Sequence, residues 1–184
     1  RAALVGAHGA GSFIVINADD YYGRSTYVAL AEAAIDLPND RSLLAGFRLD
    51  QTLPEMGEVS RGICGVDGVE LVSLVETHGI GRRDDDSITA TDPAGPLADD
   101  EVASMNCWVF PHRLFGDLES GFAAFLAEHG DEEKTEYLLP KIIHGLMATG
   151  EMTVGVVPTS ESWVGVTNPN DLEVARRRIA EVRD

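Results

Sequence analysis

Cysteine and positive charge are scarce in this sequence. Its two cysteines, Cys64 and Cys107, lie within apolar stretches, which indicates reduced core thiols rather than a disulfide framework. Lysine and arginine together number 14, against 31 aspartates and glutamates, so the net charge is −17. A general nucleic-acid binder needs clustered cations, and this balance argues against that class. A small anionic substrate stays compatible with it, because a few local donors can outweigh the global charge.

The sequence also lacks the patterns typical of membrane segments and of zinc sites. No apolar run is long enough to cross a bilayer and no basic-then-apolar leader opens the chain, so we expect no membrane partner and a cytoplasmic location. None of the five histidines stands at a metal-ligand spacing from Cys, Asp or Glu, which argues against zinc. The 184 residues suffice for one domain with a core, and we predict a single domain over residues 1–184.

The first third of the chain has the pattern of a strand, a helix and a second strand. Residues 13–17 begin with four consecutive apolar residues, a pattern typical of a strand that is buried on both faces and pairs in parallel. Ser25 or Thr26 can serve as the N-cap of the helix that follows. Residues 42–49 then return as a strand. This order is the unit of an α/β sheet.

The middle of the chain has a different pattern. Asp67-Gly68 separates two β-rich runs, 58–66 and 69–76, and predicts a hairpin. Residues 79–101 carry Gly, Pro, Asp, Thr and Ser with little periodicity, which predicts a mobile loop. Three consecutive aspartates, 84–86, lie within it, and in such a loop they are more typical of a solvated charge run than of a cation site.

The last third alternates again between strands and helices. Residues 102–110 and 152–157 predict strands, and 136–147 predicts a helix between them. Asn168 is an N-cap candidate for a final helix. We therefore predict an α/β fold with a mostly parallel, mixed sheet and an inserted β-hairpin. Few strands are left to cover the second edge of the first strand, so we expect the domain to lack its N-terminal part.

Two adjacent carboxylates, Asp19 and Asp20, end the first strand. Ligands of open α/β sheets bind at the carboxyl ends of strands. A carboxylate at that place can hold Mg²⁺, which prefers oxygen ligands and shares them with substrate phosphates. An aspartate that caps the next helix or braces a turn explains the same pattern. The residues alone leave both interpretations open.

The stretch 15–23, VINADDYYG, resembles the sugar nucleotidyltransferases, including uridylyltransferases that act on glucose 1-phosphate. Further segments resemble that family in the same order along nearly the whole chain: 55–64, 72–76, 104–110, 135–140 and 165–172. The resemblance implies a Rossmann-like nucleotidyltransferase sheet. It also implies Mg²⁺ as cofactor, with a nucleoside triphosphate and a sugar 1-phosphate as substrates.

The resemblance further implies roles for individual residues. Asp19 is implied as the catalytic metal ligand, with Asp20 beside it. One close backbone approach and several polar side chains are implied to bind the substrate: Gly62, Glu76, Asn106, Glu136 and Asn168. These residue types suit a sugar, whose hydroxyl groups need several polar partners.

The sequence also departs from the family pattern. The glycine-rich loop with a basic residue that binds the triphosphate is not found, since Gly6–Gly11 contains no Lys or Arg. Thr77-His78 stands where many members have a lysine that holds the sugar phosphate.

Three functions stay open: a nucleotidyltransferase that releases pyrophosphate, a metal-dependent glycosyltransferase of similar fold, and a non-catalytic sugar-nucleotide-binding protein. The oligomeric state is open as well, with a homo-oligomer among the expectations.

Overall fold

A computed structural model describes residues 11–54, 56–132, 134–165, 175–177 and 180. Three α-helices are described from end to end: α1 (Arg24–Ala33), α2 (Leu114–His129) and α3 (Leu139–Ala148). Residues 175–177 are also helical. A 3-10 helix spans Leu49–Thr52. The strands are β1 (Ser12–Val15), β2 (Asp20–Tyr21), β3 (Arg41–Arg48), β4 (Val59–Asp67), β5 (Glu70–Arg82), β6 (Ile88–Thr91), β7 (Ala94–Leu97), β8 (Val102–Pro111), β9 (Thr153–Thr159) and β10 (Val164–Gly165).

Eight strands form one mixed sheet in the order β1-β8-β3-β9-β5-β6-β7, with β4 paired to β5 and β8. The predicted α/β fold with a mixed sheet is therefore confirmed. The expectation of a mostly parallel sheet is wrong, because β3 and β9 alone run parallel among the described pairs. Short turns join β4 to β5, β5 to β6 and β6 to β7. Two neighbouring strands that are joined by such a short turn must run antiparallel.

The first strand also differs from its prediction. β1 pairs antiparallel with β8 and has no second neighbour among the described strands. Its side chains alternate between the partly buried Phe13 and Val15 and the exposed Ile14. A short apolar run does not reveal strand direction, since both faces of an antiparallel strand can carry apolar residues.

The predicted hairpin is confirmed, and its turn lies one residue later than the Asp67-Gly68 pair suggested. Asp67 pairs with Glu70, so Gly68 and Val69 form the turn. Gly68 has a φ of 61°, in the left-handed region that two-residue hairpin turns require.

The segment 79–101, expected as a loop, forms the end of β5 and the strands β6 and β7. Ile80, Ile88 and Ala90 are buried there and pack in a small core with Leu49 and Ala103. These strands are short and are separated by turn residues, so their apolar positions produce no clear periodicity in the sequence. The mobility of this segment and the single-domain organisation remain predictions.

The start of α1 also differs from its prediction. The N-cap is Gly23 rather than Ser25 or Thr26. The Thr26 hydroxyl instead donates a 2.6 Å hydrogen bond to the carbonyl of Tyr22, which holds the turn before the helix. The predicted cap of the final helix, Asn168, lies outside the described residues.

Two apolar cores lie on the sheet. One contains Trp108, Phe110 and Met152 with residues of α2 and α3, and the other contains Tyr22 and Phe47 with residues of α1.

Both cysteines are reduced and buried, as predicted, and burial raises the pKa of each thiol to about 12. In the described ranges, no helix has both the length and the apolar character needed to span a membrane.

Candidate functional site

One cleft of about 780 Å³ lies where several elements meet. The turn before β2, the strands β4, β5 and β8, the start of α3 and the residue before β10 contribute to its walls. Its lining residues are Asn17, Asp19, Asp20, Ser60, Arg61, Gly62, Leu74, Glu76, Ser104, Met105, Asn106, Leu138, Pro140, Lys141, His144 and Trp163.

The cleft brings together most of the residues predicted from the sequence. Asp19, Asp20, Gly62, Glu76 and Asn106 all line it, although they are spread over 88 positions of the chain (19 to 106). Glu136 is exposed and is not among the lining residues, whereas its neighbours Leu138 and Pro140 are. Asn168 lies outside the described residues. The roles of all seven residues remain predictions.

The two aspartates differ in how they are held. Asp19 is exposed in the turn between β1 and β2. Asp20 is half-buried, and its Oδ2 accepts hydrogen bonds from Asn17 Nδ2 at 2.8 Å and from the Tyr22 hydroxyl at 3.1 Å. That hydroxyl also lies 2.9 Å from the carbonyl of Met105. One buried phenol thus joins β8 to the turn at residues 17–20, the aspartate turn. Burial raises the pKa of Tyr22 far above its usual value, which keeps the phenol a donor.

Backbone pairing fixes the same turn from its other side. Asp20 pairs with Gly165 across the two-stranded sheet of β2 and β10. The chain before β10 is tied to α1, because Glu161 Oε1 accepts from the backbone N–H of Ser25 at 3.0 Å and from its hydroxyl at 2.6 Å. Glu161 thus caps the start of a helix whose own N-cap, Gly23, offers no side chain.

The aspartate turn has the residue types that could bind a magnesium ion together with the phosphates of a substrate. The described residues contain no cluster of three or more His, Cys, Asp or Glu side chains placed to hold a metal. Mg²⁺ is commonly bound through one or two carboxylates, with water and substrate phosphates as its remaining ligands. The exposed Asp19 carboxylate and the second oxygen of Asp20 offer this kind of donor set.

The central strand β4 forms the sheet wall of the cleft. Gly62 lies between Glu76 of β5 and Ser104 of β8 in the register of the sheet. A Cβ atom at Gly62 would lie 2.9 Å from Leu74 Cδ1 and 3.5 Å from Ser104 Cβ. Glycine therefore leaves the wall open at a point where Glu76 and the Ser104 side chain flank it.

Asn106 occupies an irregular point of β8. Its φ is 59°, which is uncommon outside glycine, although asparagine adopts it more readily than most residues. The pairing of β8 with β3 shifts here, because Leu44 opposes Trp108 while Gly46 opposes Ser104. Such bulges are frequent beside binding sites, where they redirect a side chain.

Sequence reasoning missed the basic residues of the cleft: Arg61, Lys141 and His144. Arg61 is the best anchored, since its guanidinium lies 4.8 Å from the centre of the Trp163 ring. Burial lowers the pKa of Arg61 to about 10, and Asp20 and Glu76 oppose that shift, so the group is charged at neutral pH. The sequence contained one indication that Arg61 belongs to the site: it directly precedes Gly62, in a strand already assigned to the site.

The position after Glu76 carries no cation. Thr77 is buried, and its hydroxyl donates to the carbonyl of Val75 at 3.1 Å. Its register partner across the hairpin is Arg61. In this chain, positive charge is thus present on β4 rather than at the position where the sequence comparison expected a lysine.

Comparisons with known proteins support the fold. No family model matches this chain, and neither does any curated protein. The chain is similar to the solved inositol-1-phosphate CTP transferase of T. maritima, at 14% identity and a TM-score of 0.58, over 96% of this chain and 58% of that protein. It is also similar to a putative glucose-1-phosphate thymidylyltransferase of Bacillus anthracis, at 14% identity and a TM-score of 0.54, over 100% and 60%.

These matches bear out the resemblance predicted from the sequence. Both solved structures are named as sugar-phosphate or inositol-phosphate nucleotidyltransferases, and at such low identity the likeness concerns the fold. The chain spans less than two thirds of the length of either protein. The described part of this chain has the nucleotidyltransferase fold.

Proposed function

We propose that the protein containing this chain transfers a nucleotidyl group from a nucleoside triphosphate to a sugar 1-phosphate, giving a nucleotide sugar and pyrophosphate. The observation that carries this proposal is the composition of a single cleft. It combines two adjacent carboxylates, Asp19 and Asp20, with an open strand position at Gly62 and hydroxyl-binding side chains at Glu76 and Asn106.

Each group has a defined task in this reaction. Glu76 would accept hydrogen bonds from sugar hydroxyls, and Asn106 would both donate and accept them. Gly62 would let the sugar approach the strand closely. Asp19 and Asp20 would hold Mg²⁺, whose charge would neutralise the phosphates. An oxygen of the sugar phosphate would attack the α-phosphorus of the triphosphate, and the bond from that phosphorus to pyrophosphate would break. Positioning and charge neutralisation would then supply most of the rate.

The proposal leaves the base and the sugar open. Uridylyl transfer, a cytoplasmic location and a homo-oligomer remain predictions. Because the chain spans less than two thirds of the matched proteins, the reaction is proposed for the protein of which these residues are a part.

The test is product analysis with the full-length protein. It is incubated with Mg²⁺, each nucleoside triphosphate and a panel of sugar 1-phosphates, and the products are identified by mass spectrometry. We expect pyrophosphate and a nucleotide sugar in equal amounts. Release of a nucleoside diphosphate from a nucleotide sugar would indicate a glycosyltransferase instead, and binding of a nucleotide sugar without turnover would indicate a non-catalytic protein.

A further inference from the structure

Arg61 is held rigidly in the wall of the cleft. Its Nη2 donates to the carbonyl of Thr52 at 2.5 Å, its Nη1 to the carbonyl of Ser60 at 2.8 Å, and its Nε to Thr52 Oγ1 at 3.3 Å. The ring of Trp163 packs against the guanidinium. A side chain fixed in this way has already lost most of its rotamer freedom, so binding a ligand costs little further entropy.

This anchoring does not use up the hydrogen-bonding capacity of Arg61. A guanidinium has five N–H donors, and the three bonds above account for three of them. One N–H on each terminal nitrogen has no acceptor among the described residues. Two N–H groups on adjacent nitrogens form the fork that binds phosphate oxygens in pairs.

Arg61 lines the same cleft as the carboxylates of the proposed metal side and sugar side. Asp20, on the proposed metal side, and Glu76, on the proposed sugar side, both act on the Arg61 charge. Arg61 also directly precedes Gly62 in β4. A phosphate bound there would be attached to a sugar at Gly62 and Glu76 and would face the metal at the aspartate turn.

We propose that Arg61 binds the phosphate group of the sugar 1-phosphate. The proposal rests on the proposed function and names the residue that recognises the anionic end of that substrate. An acidic chain needs such a local cation, since its net charge of −17 repels a phosphate monoester. Lys141 and His144 also line the cleft, but both are exposed and lack the anchoring of Arg61.

The experiment compares three probes on four forms of the full-length protein. Inorganic phosphate, glucose 1-phosphate and UTP are titrated calorimetrically into wild type, Arg61→Gln, Arg61→Lys and Arg48→Gln. Arg48→Gln is the matched control, because it makes the same charge change at an exposed residue that pairs with Asp50 and does not line the cleft. Circular dichroism establishes that each variant is folded.

We expect Arg61→Gln to weaken the binding of phosphate and glucose 1-phosphate by about tenfold or more, since charged, paired hydrogen bonds are lost. Arg61→Lys should fall between wild type and Arg61→Gln, and Arg48→Gln should match wild type. UTP should bind equally to all four forms. A loss confined to UTP would assign Arg61 to the triphosphate and overturn the proposal, as would equal phosphate binding by wild type and Arg61→Gln.

A measurement on the wild type keeps the proposal testable if Arg61→Gln does not fold. In ¹⁵N-labelled protein, the Arg61 Nε–H and Gly62 N–H signals should shift on addition of inorganic phosphate, and unshifted signals would contradict the proposal. The two proposals fail separately. Pyrophosphate formation with an unchanged KM for the sugar phosphate in Arg61→Gln would reject the role of Arg61 alone, whereas Arg61-dependent phosphate binding without pyrophosphate formation would reject the reaction alone.

Discussion

The two sides of the cleft are built by different means. On the sheet side, Gly62 and Glu76 belong to long strands, and β4 is paired on both edges. On the carboxylate side, Asp20 belongs to a strand of two residues, which is held by its short pairing with β10 and by a few side-chain hydrogen bonds. The sheet side is therefore stabilised by many backbone contacts, and the aspartate turn by contacts that single substitutions can remove.

This difference suits the proposed reaction. A sugar needs a fixed wall with several polar groups, whereas a metal shared with substrate phosphates needs carboxylates with ligand positions left open. We therefore expect substitutions on the carboxylate side to separate activity from stability, and those on the sheet side to change mainly the affinity for the sugar phosphate.

The largest effect is expected from Asp19→Asn in the full-length protein. Asp19 is exposed, so the substitution should leave the melting temperature unchanged. Loss of a metal-binding carboxylate should reduce kcat by about 100-fold or more. Pyrophosphate release measures this, with Asp84→Asn, another exposed aspartate, as the charge-matched control. Turnover close to that of wild type would remove Asp19 from the catalytic site.

Tyr22→Phe tests how the aspartate turn is held. The substitution removes the hydroxyl shared by Asp20, Met105 and the Asn17 N–H. Buried polar groups then lose a partner, so the free energy of unfolding should fall by about 2 kcal/mol. Chemical denaturation measures this, and Tyr27→Phe, in the same core but only partly buried, is the control. An unchanged stability would show that the buried phenol does not support the turn.

Gly62→Ala tests the sheet side. The added methyl group would approach Leu74 Cδ1 to 2.9 Å and narrow the cleft. Because that atom ends a flexible side chain, we expect the fold to persist and KM for the sugar phosphate to rise by about tenfold, equivalent to about 1.4 kcal/mol. Gly95→Ala, where a Cβ meets nothing within 4 Å, is the control. An unchanged KM would argue against close approach of the sugar.

The smallest effect is expected from Glu161→Ala. The substitution removes the carboxylate that caps α1 through Ser25 and should cost about 1 kcal/mol of unfolding free energy. Glu161→Gln keeps an acceptor oxygen and should cost less. Thermal unfolding of the two variants ranks them, and equal losses would show that charge, rather than the hydrogen bonds, stabilises this helix start.

Local sequence patterns predicted those parts of the fold and site that depend on neighbouring residues. The hairpin turn at Gly68 and the aspartate pair at the end of an apolar run could both be read from a few consecutive residues. Strand direction could not, because the pairing of β1 with β8 joins residues far apart in the sequence, such as Val15 and Trp108. The same limit applied to 79–101, where Ile80 and Ile88 become core positions only after β5 and β6 pair.

The basic residues of the site were missed for a related reason. Arg61 has no local signature, and its role depends on Thr52, nine residues earlier, and on Trp163, about 100 residues later. The bulge at Asn106 likewise arises from the pairing of β8 with β3. Glu136 remains a prediction: it is exposed and is not among the lining residues of the cleft, whereas Leu138 of the same segment is.

The most direct test of the central claim is the location of the divalent metal. Mn²⁺ replaces Mg²⁺ in ¹⁵N-labelled full-length protein, and paramagnetic broadening of amide signals is measured with and without glucose 1-phosphate and UTP. The account predicts strongest broadening at Asp19 and Asp20, extending to Arg61 and Gly62, and greater with the substrates present. Broadening centred on Asp84–Asp86, with the cleft signals unaffected, would contradict it.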